Sequence, residues 1–404
     1  MKIVHIHQYY NDGMGYQENI LPSYQKKLNN DVFLITSNLS NGFNGEIRNK
    51  KIGSYNDNGI TINRIKIKFE FKNRFVIFKD LYKELEKIKP DYIFHHSVTS
   101  PSLATVCRYK KNNPEVFLAV DNHADLNISA RNKVWKIVYY NIFWKMFIKI
   151  YDKLIDIYFG VTPSRCLFLN EELGVKKEKI RLLPIGSDTE GININIDKNE
   201  LFERYNIDKS KFLVVHGGKI TREKQIDRII EAFSYIKDEE VNLILFGKIE
   251  DDNVKSMIEN DQRIKYLGWL NRNETLAILK YSDIGIWNTQ HTTLIEDAIA
   301  VGLPLILRYY GSTSHLIDNS GFFLYDGSTR EIYDKMKYVI ENKEAIHKLK
   351  VNAKNMAKIL SYQNIAKESI EYKSDISSKF IHKKFMDKSY SDYNFQFFRK
   401  INRK

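Results

Sequence analysis

What most constrains this chain is a recurring order: a short apolar run, a polar or glycine-bearing loop at its end, then a helical stretch. Residues 2–7 form an apolar strand, Asn11-Asp-Gly-Met-Gly15 follows as a loop, 17–28 reads as a helix and 32–36 as a second strand. This is how a parallel α/β sheet opens, because parallel neighbours need a long crossover between them. The order recurs at 60–67 (strand), 75–88 (helix), 92–95 (strand), 103–110 (helix) and 116–120 (strand). Strands at 157–161 and 180–184 flank a helix that starts at Arg165. Residues 188–199 are polar with few core residues and mark a domain junction, which divides the chain into 1–190 and 191–367. A second α/β unit follows, with strands at 211–216, 241–247, 264–267, 283–287 and 305–307. Its helices are expected at 225–236, 253–260, 272–281, 330–342 and 343–360. The Lys- and aromatic-rich tail, about 368–404, is expected to pack back on the first domain or stay partly disordered.

Composition narrows the class. At 404 residues, 43% hydrophobic and 13% aromatic, the chain can bury two ordinary cores, which excludes global disorder. A net charge of +13 points to an anionic partner: a membrane surface, nucleic acid or a phosphorylated substrate. Cys107 and Cys166 have no metal-ligand spacing, which argues against a disulfide scaffold or a zinc site and suits a reducing cytoplasm. The first residues read as a buried strand with no apolar leader, and no uninterrupted apolar stretch reaches spanning length. No nucleic-acid recognition module is visible.

Loops at the carboxyl ends of parallel strands are where such sheets bind ligands. Gly13 and Gly15 permit close approach of a ligand to the backbone, or only a tight turn. Asp121-Asn-His-Ala-Asp125 brings His123, able to donate or accept near neutral pH. Gly217-Gly-Lys-Ile-Thr-Arg-Glu-Lys224 puts glycines at a strand exit with Lys219, Arg222 and Lys224 nearby. That suits a diphosphate, or simply a solvated basic turn. Asn288-Thr-Gln-His-Thr-Thr293 feeds a helix carrying Glu296 and stopped by Gly302 and Pro304. Such a helix start favours anions, although Thr293-Leu-Ile-Glu296 also fits a capping box that merely ties off the helix. Residues 131–152 read as one helix rich in Trp, Tyr, Phe and Ile, with Lys145, Lys149 and Lys153 in a basic stripe. It suits an anionic membrane surface, or a buried helix whose lysines snorkel to water.

These motifs resemble a known family. Gly218-Lys-Ile-x-x-x-Lys224 is similar to the G-R-L-x-x-x-K segment of GT4-type retaining glycosyltransferases, with Lys219 where Arg is usual. Ile295-Glu-Asp-Ala-Ile-Ala-Val-Gly-Leu-Pro304 resembles their L-E-A-x-A-x-G-x-P. The resemblance implies a GT-B fold, two Rossmann-like doubly wound parallel-sheet domains facing across a cleft. It implies Lys219 and Lys224 on the donor diphosphate, with Gly13, Gly15 and Gly218 close to it. Glu296 would hold the ribose, and Asn288, His291, Thr292 and Thr293 would line the donor site. His123, Asn122 and Asp125 would lie near the transferred sugar. One departure is Asn288, which stands where the family usually has a second acid eight residues before the ribose Glu. The implied chemistry is metal-independent transfer from a nucleotide diphosphate sugar, UDP-linked in preference to GDP-linked. The acceptor would be a glycan or lipid-linked oligosaccharide, at the cytoplasmic face of the membrane, in capsule, O-antigen or similar synthesis. The same fold also serves nucleotide-sugar epimerases and phosphorylases, and a non-catalytic binding protein would account for Asn288.

Overall fold

The computed structural model describes residues 1–371 except 42–45, 72–74, 126–128, 130–132 and 193; the tail beyond 371 lies outside the described residues. The chain forms two compact α/β units. One comprises Met1–Ile185 and the chain from Tyr362, the other Gly186–Ser361.

The first unit is built on an eight-stranded sheet. Its order is Ile180–Leu182, Ile157–Gly160, Phe117–Asn122, Tyr92–His95, Lys2–His7, Asp31–Ser37, Ile60–Ile65 and Gly53–Asp57. All neighbours are parallel except the last pair, where Gly53–Asp57 folds back on Ile60–Ile65. Strand order reverses at Lys2–His7, so crossovers leave it toward opposite faces and a crevice opens at the carboxyl ends. The second unit's six strands are all parallel, in the order Ile264–Tyr266, Val241–Phe246, Phe212–Gly217, Ile284–Trp287, Leu305–Arg308, Gly321–Leu324. Numbered along the chain these run 3-2-1-4-5-6, the Rossmann order, with its switch point between Phe212–Gly217 and Ile284–Trp287. Val214, Leu243, Ile284 and Ile306 are among the strand residues of this unit's core, packed with Ile229 and Phe233 from the helix Ile226–Ser234.

Several expectations are corrected. Residues 75–88 are not one helix: Phe75–Phe78 is a strand, hairpinned with Ile67–Phe71, and the helix is Leu81–Ile88. Phe-Val-Ile-Phe buries alternate side chains, the strand period, and Asp80 marks the helix start. The stretch read as one helix over 131–152 is α-helical at Lys133–Trp135, π-helical at Lys136–Trp144 and α-helical at Lys145–Tyr151. The polar junction ends in a helix, Lys198–Arg204, capped by Asp197.

The helix Tyr362–Ile370 returns the chain to the first unit. Tyr362, Ile365 and Ala366 join that core, with Tyr362 stacked on Tyr24 at 5.8 Å. Glu368 lies on this helix, buried, and burial raises its carboxyl to about 7. The folded state therefore holds the proton more tightly than the unfolded chain, and stability falls as pH rises from the ordinary Glu range toward 7. Glu368→Gln is expected to remove this slope, leaving the variant more stable than wild type by on the order of 2–3 kcal/mol above neutral pH and equal to it in acid. Urea denaturation across pH checks this.

Candidate active site

In the second unit, the backbone ladder between the switch-point strands is registered only at Val214–Ile284 and Val215–Gly285. Beyond it, side chains join the strand ends. His216 Nδ1 donates to the Ile286 carbonyl at 2.7 Å, and Trp287 Nε1 donates to the Gly217 carbonyl at 3.0 Å. Burial keeps His216 neutral, its pKa lowered to about 4. Gly218 follows at φ +118, a region that favours glycine, and a Cβ there would lie 3.1 Å from Lys224 Nζ and 3.5 Å from Leu294 Cδ1. The Lys224 ammonium thus reaches across Gly218 toward the start of the helix Thr293–Ala300. Burial, then the nearby Lys219, lowers the Lys224 pKa. Lys219 itself is exposed.

Glu296 sits in the first turn of that helix and is buried. Its Oε1 bonds His291 Nε2, and its Oε2 is buried with no hydrogen-bond partner. The capping-box alternative fails: the helix is preceded by Thr292, which makes no side-chain cap bond, so Glu296 is not at the capping position. Thr293 is exposed at the helix start. Ser312, on the loop after Leu305–Arg308, donates to Gln290 Oε1 at 2.8 Å.

Asn288 is buried, and its amide donates to Gln225 Oε1 and to the Gly327 carbonyl, both at 3.0 Å. Both amide protons are thereby used inside the unit, leaving Oδ1, which is buried without a partner. Arg308, at the end of the strand Leu305–Arg308, is also buried, with Nε and Nη1 lacking partners. A Cβ on Gly327 would meet both Arg308 Nη1 (2.2 Å) and Asn288 Oδ1 (2.3 Å), so only glycine fits between them.

In the first unit, the carboxyl ends of Lys2–His7, Tyr92–His95 and Phe117–Asn122 bring five histidines together: His5, His7, His95, His96 and His123. Asp121 is fully buried. Its Oδ2 lies 2.8 Å from His96 Nδ1 and 3.3 Å from His123 Nε2, and Oδ1 accepts from the Ser97 amide at 2.7 Å. His123 is the exposed member. Asn122 and Asp125 are buried and engaged locally: Asn122 bonds Ala124 and the Arg165 carbonyl, and Asp125 lies 3.6 Å from Arg165 Nε. Gly13, at φ +72, and Gly15 both face open space. His96, Asp121 and His123 offer ligand atoms within 4.8 Å of one another, a composition that can hold a metal ion. Their 2.8 and 3.3 Å contacts are hydrogen bonds, however, and a tetrahedral ion with ~2.1 Å bonds would keep its ligands about 3.4 Å apart.

Residues 197–356 match the family described as glycosyl transferases group 1. They are a glycosyltransferase domain. No curated protein matches the chain. Among solved structures, a glycosyltransferase from Rickettsia africae superposes with TM-score 0.64 at 17% identity, over 96% of this chain and 99% of that one. Anabaena Alr3699/HepE, solved with UDP and glucose, gives 0.60 at 14% over 92% and 99%. WaaG, a glycosyltransferase involved in lipopolysaccharide biosynthesis, gives 0.54 at 11% over 92% and 99%. The fold is GT-B, two Rossmann-like parallel-sheet domains, and the domain match makes the chain a glycosyltransferase enzyme.

Within the glycosyltransferase domain, the structure gathers Gly218, Lys224, His291 and Glu296 around the start of one helix. Asn288 it ties into the scaffold instead. Arg308 opens the polar stretch 308–314, which by its sequence could line the same cleft, but the strand run Leu-Ile-Leu-Arg gives no hint that its guanidinium is buried. If an anion sits on this cradle, it restores the proton that burial disfavours on Lys224. Pyrophosphate binding is therefore expected to take up protons in alkaline buffer, seen as a buffer-dependent calorimetric enthalpy. Lys224→Met is expected to abolish the uptake and weaken binding by about 10- to 100-fold.

Proposed function

We propose that this enzyme is a retaining GT4-type glycosyltransferase. It moves a sugar from a nucleotide diphosphate sugar, UDP-linked in preference to GDP-linked, to a glycan or lipid-linked acceptor in bacterial surface polysaccharide synthesis. The observation that carries the reading is Glu296: a buried carboxylate with one oxygen held by His291 and the other unpartnered. An ionised carboxylate oxygen accepts only, so it calls for a hydroxyl donor such as a ribose. Beside it, the Gly218 cradle and the Lys224 ammonium call for the diphosphate. HepE, with its bound UDP and glucose, and WaaG, with its place in lipopolysaccharide synthesis, are in keeping with this donor and setting.

In the reaction, the bond between the anomeric carbon and the diphosphate oxygen breaks, and the electron pair leaves with the diphosphate. The acceptor oxygen bonds the same carbon from the same face, and its proton passes to the departing phosphate oxygen. Lys219, Lys224 and the helix amides stabilise the charge that develops on the leaving group. His123 orients the sugar or the acceptor hydroxyl, with Asn122 and Asp125 shaping its loop. Retention comes with the family resemblance, as does independence of metal.

The segment 133–154 supports a membrane-bound acceptor. It buries Tyr140, Trp144 and Ile148 and exposes Val134 (71%), Met146 (61%) and Ile150 (68%), with Ile142 and Phe143. Lys145, Lys149 and Lys153 are exposed on the same segment. Apolar side chains ringed by lysines suit the headgroup layer of an anionic bilayer, and no described helix is long and apolar enough to cross one. We place the enzyme on the cytoplasmic face of the cell membrane.

Nucleotide release from a panel of UDP- and GDP-sugars tests the reading. UDP-sugar turnover is expected, reduced by about 100-fold or more in Lys224→Ala and comparably in Glu296→Gln with the fold intact. Turnover of no nucleotide sugar would sink it. Flotation with anionic liposomes is expected to lose the protein when Lys145, Lys149 and Lys153 are all changed to Glu; unchanged flotation would remove the membrane from the account.

A further inference from the structure

The histidine cluster of the first unit contains a hydrogen-bonded run whose protons can be counted. Gln25 Oε1 lies 2.6 Å from His5 Nε2, His5 Nδ1 lies 3.0 Å from His96 Nε2, and His96 Nδ1 lies 2.8 Å from Asp121 Oδ2. The far end sets the direction. Ser369 Oγ donates to the Ala366 carbonyl at 2.7 Å, so it accepts from Gln25 Nε2 at 2.8 Å, and Gln25 presents its oxygen to His5. An acceptor therefore stands at each end, the Gln25 oxygen and the Asp121 carboxylate. Two imidazoles lie between, all buried. Each of the three contacts needs one proton, and two neutral imidazoles carry only two.

We propose that His5 and His96 together hold one proton more than two neutral rings, that it resides on His96 as an imidazolium paired with Asp121, and that His96 is thereby a positioning residue for His123. Two features assign the charge. Asp121 accepts from three donors, the Ser97 amide, His96 and His123, which is the pattern of an ionised carboxylate. His96 is the ring that touches the carboxylate, whereas His5 faces the neutral Gln25 oxygen and burial lowers it to about 3, so the charge falls on His96. Although burial opposes ionisation of Asp121, His123 and His96 hold its carboxyl well below the usual range. The other titratable neighbours are His7, edge-on to His96 at 5.4 Å, and Glu18, 3.9 Å from His7. Burial lowers His7, and it lowers His95, bonded to Ser102, to about 3.

The consequence falls on His123. An ionised Asp121 accepts its Nε2–H, so in the neutral form of the ring the lone pair sits on Nδ1, where it can accept a hydrogen bond from a hydroxyl. Without the imidazolium, the carboxylate would be a buried charge with its best partner gone and would take up a proton itself. His123 would then lose the acceptor that orients it. Only the use of His123 toward a sugar rests on the proposed transferase reaction; the proton count is independent of it.

Nitrogen-15 NMR of the histidine-labelled full chain near neutral pH tests the count, with His5→Gln and His96→Gln used for assignment. The expected result is one lone-pair ring nitrogen among the four of His5 and His96, that of His5 Nδ1, with both His96 nitrogens protonated. Two lone-pair nitrogens would overturn the proposal whether or not the enzyme turns over. Asp121→Asn, checked for its fold by circular dichroism, is expected to strip the extra proton, adding a second lone-pair nitrogen at His96. An Asp121→Asn protein that folds and keeps both His96 nitrogens protonated would contradict it. Zinc alone, titrated into wild type, is expected to leave the His96 signals in place, and one-to-one binding that deprotonates His96 would also overturn it.

Discussion

Two parallel strands whose crossovers leave to opposite faces cannot cover the space beyond their own carboxyl ends, and the proposed donor site depends on that constraint. In the second unit these strands are registered side by side only as far as Val215 and Gly285. Past that point, His216 and Trp287 replace the backbone ladder with side-chain bonds to the opposite strand. The ends are held together without being closed. Gly218, Lys224 and the start of the helix Thr293–Ala300 surround the opening.

Charge in this crevice is left unsatisfied by design of the packing. Lys224 is half-buried with a lowered pKa, Arg308 is buried with two unpartnered nitrogens, and Glu296 keeps one buried oxygen without a donor. Each is unfavourable in isolation, because burying an uncompensated charge or polar atom costs free energy. The scaffold around them is correspondingly well bonded. Glu331 accepts from the amides of Tyr325, Asp326 and Gly327, which sets Gly327 for Asn288, and Asn288 in turn holds Gln225 beside Lys224. Rigid surroundings and unmatched charge together describe a site prepared for an anionic, hydroxylated ligand.

Much of this was legible in the sequence. Apolar runs at 211–216, 241–247 and 283–287 fall on the central strands, and Gly218, Lys224 and Glu296 meet at one place. Local pattern sufficed there because strand exits and helix starts are written in consecutive residues. It did not suffice for Phe75–Phe78, where an adjoining helix masked four residues of strand period, or for the π-helical turn, which no periodicity argument anticipates. The run from Gln25 to Asp121 could not have been read at all. Its members come from three strand ends, one helix and, through Ser369, the returning chain, and only the fold brings them together. Asn288 is divided between two roles. By the resemblance it lines the donor site, and in the fold its amide nitrogen is bonded within the unit while its Oδ1 stays buried without a partner.

The central claim is that the diphosphate of a nucleotide sugar lies on the Gly218 cradle with its ribose on Glu296. A crystal structure of the full chain with UDP tests it most directly. The account predicts the diphosphate oxygens within hydrogen-bond distance of Lys219 and Lys224 and a ribose hydroxyl donating to Glu296 Oε2. UDP bound elsewhere on the chain, or bound here with its ribose turned away from Glu296, would contradict it.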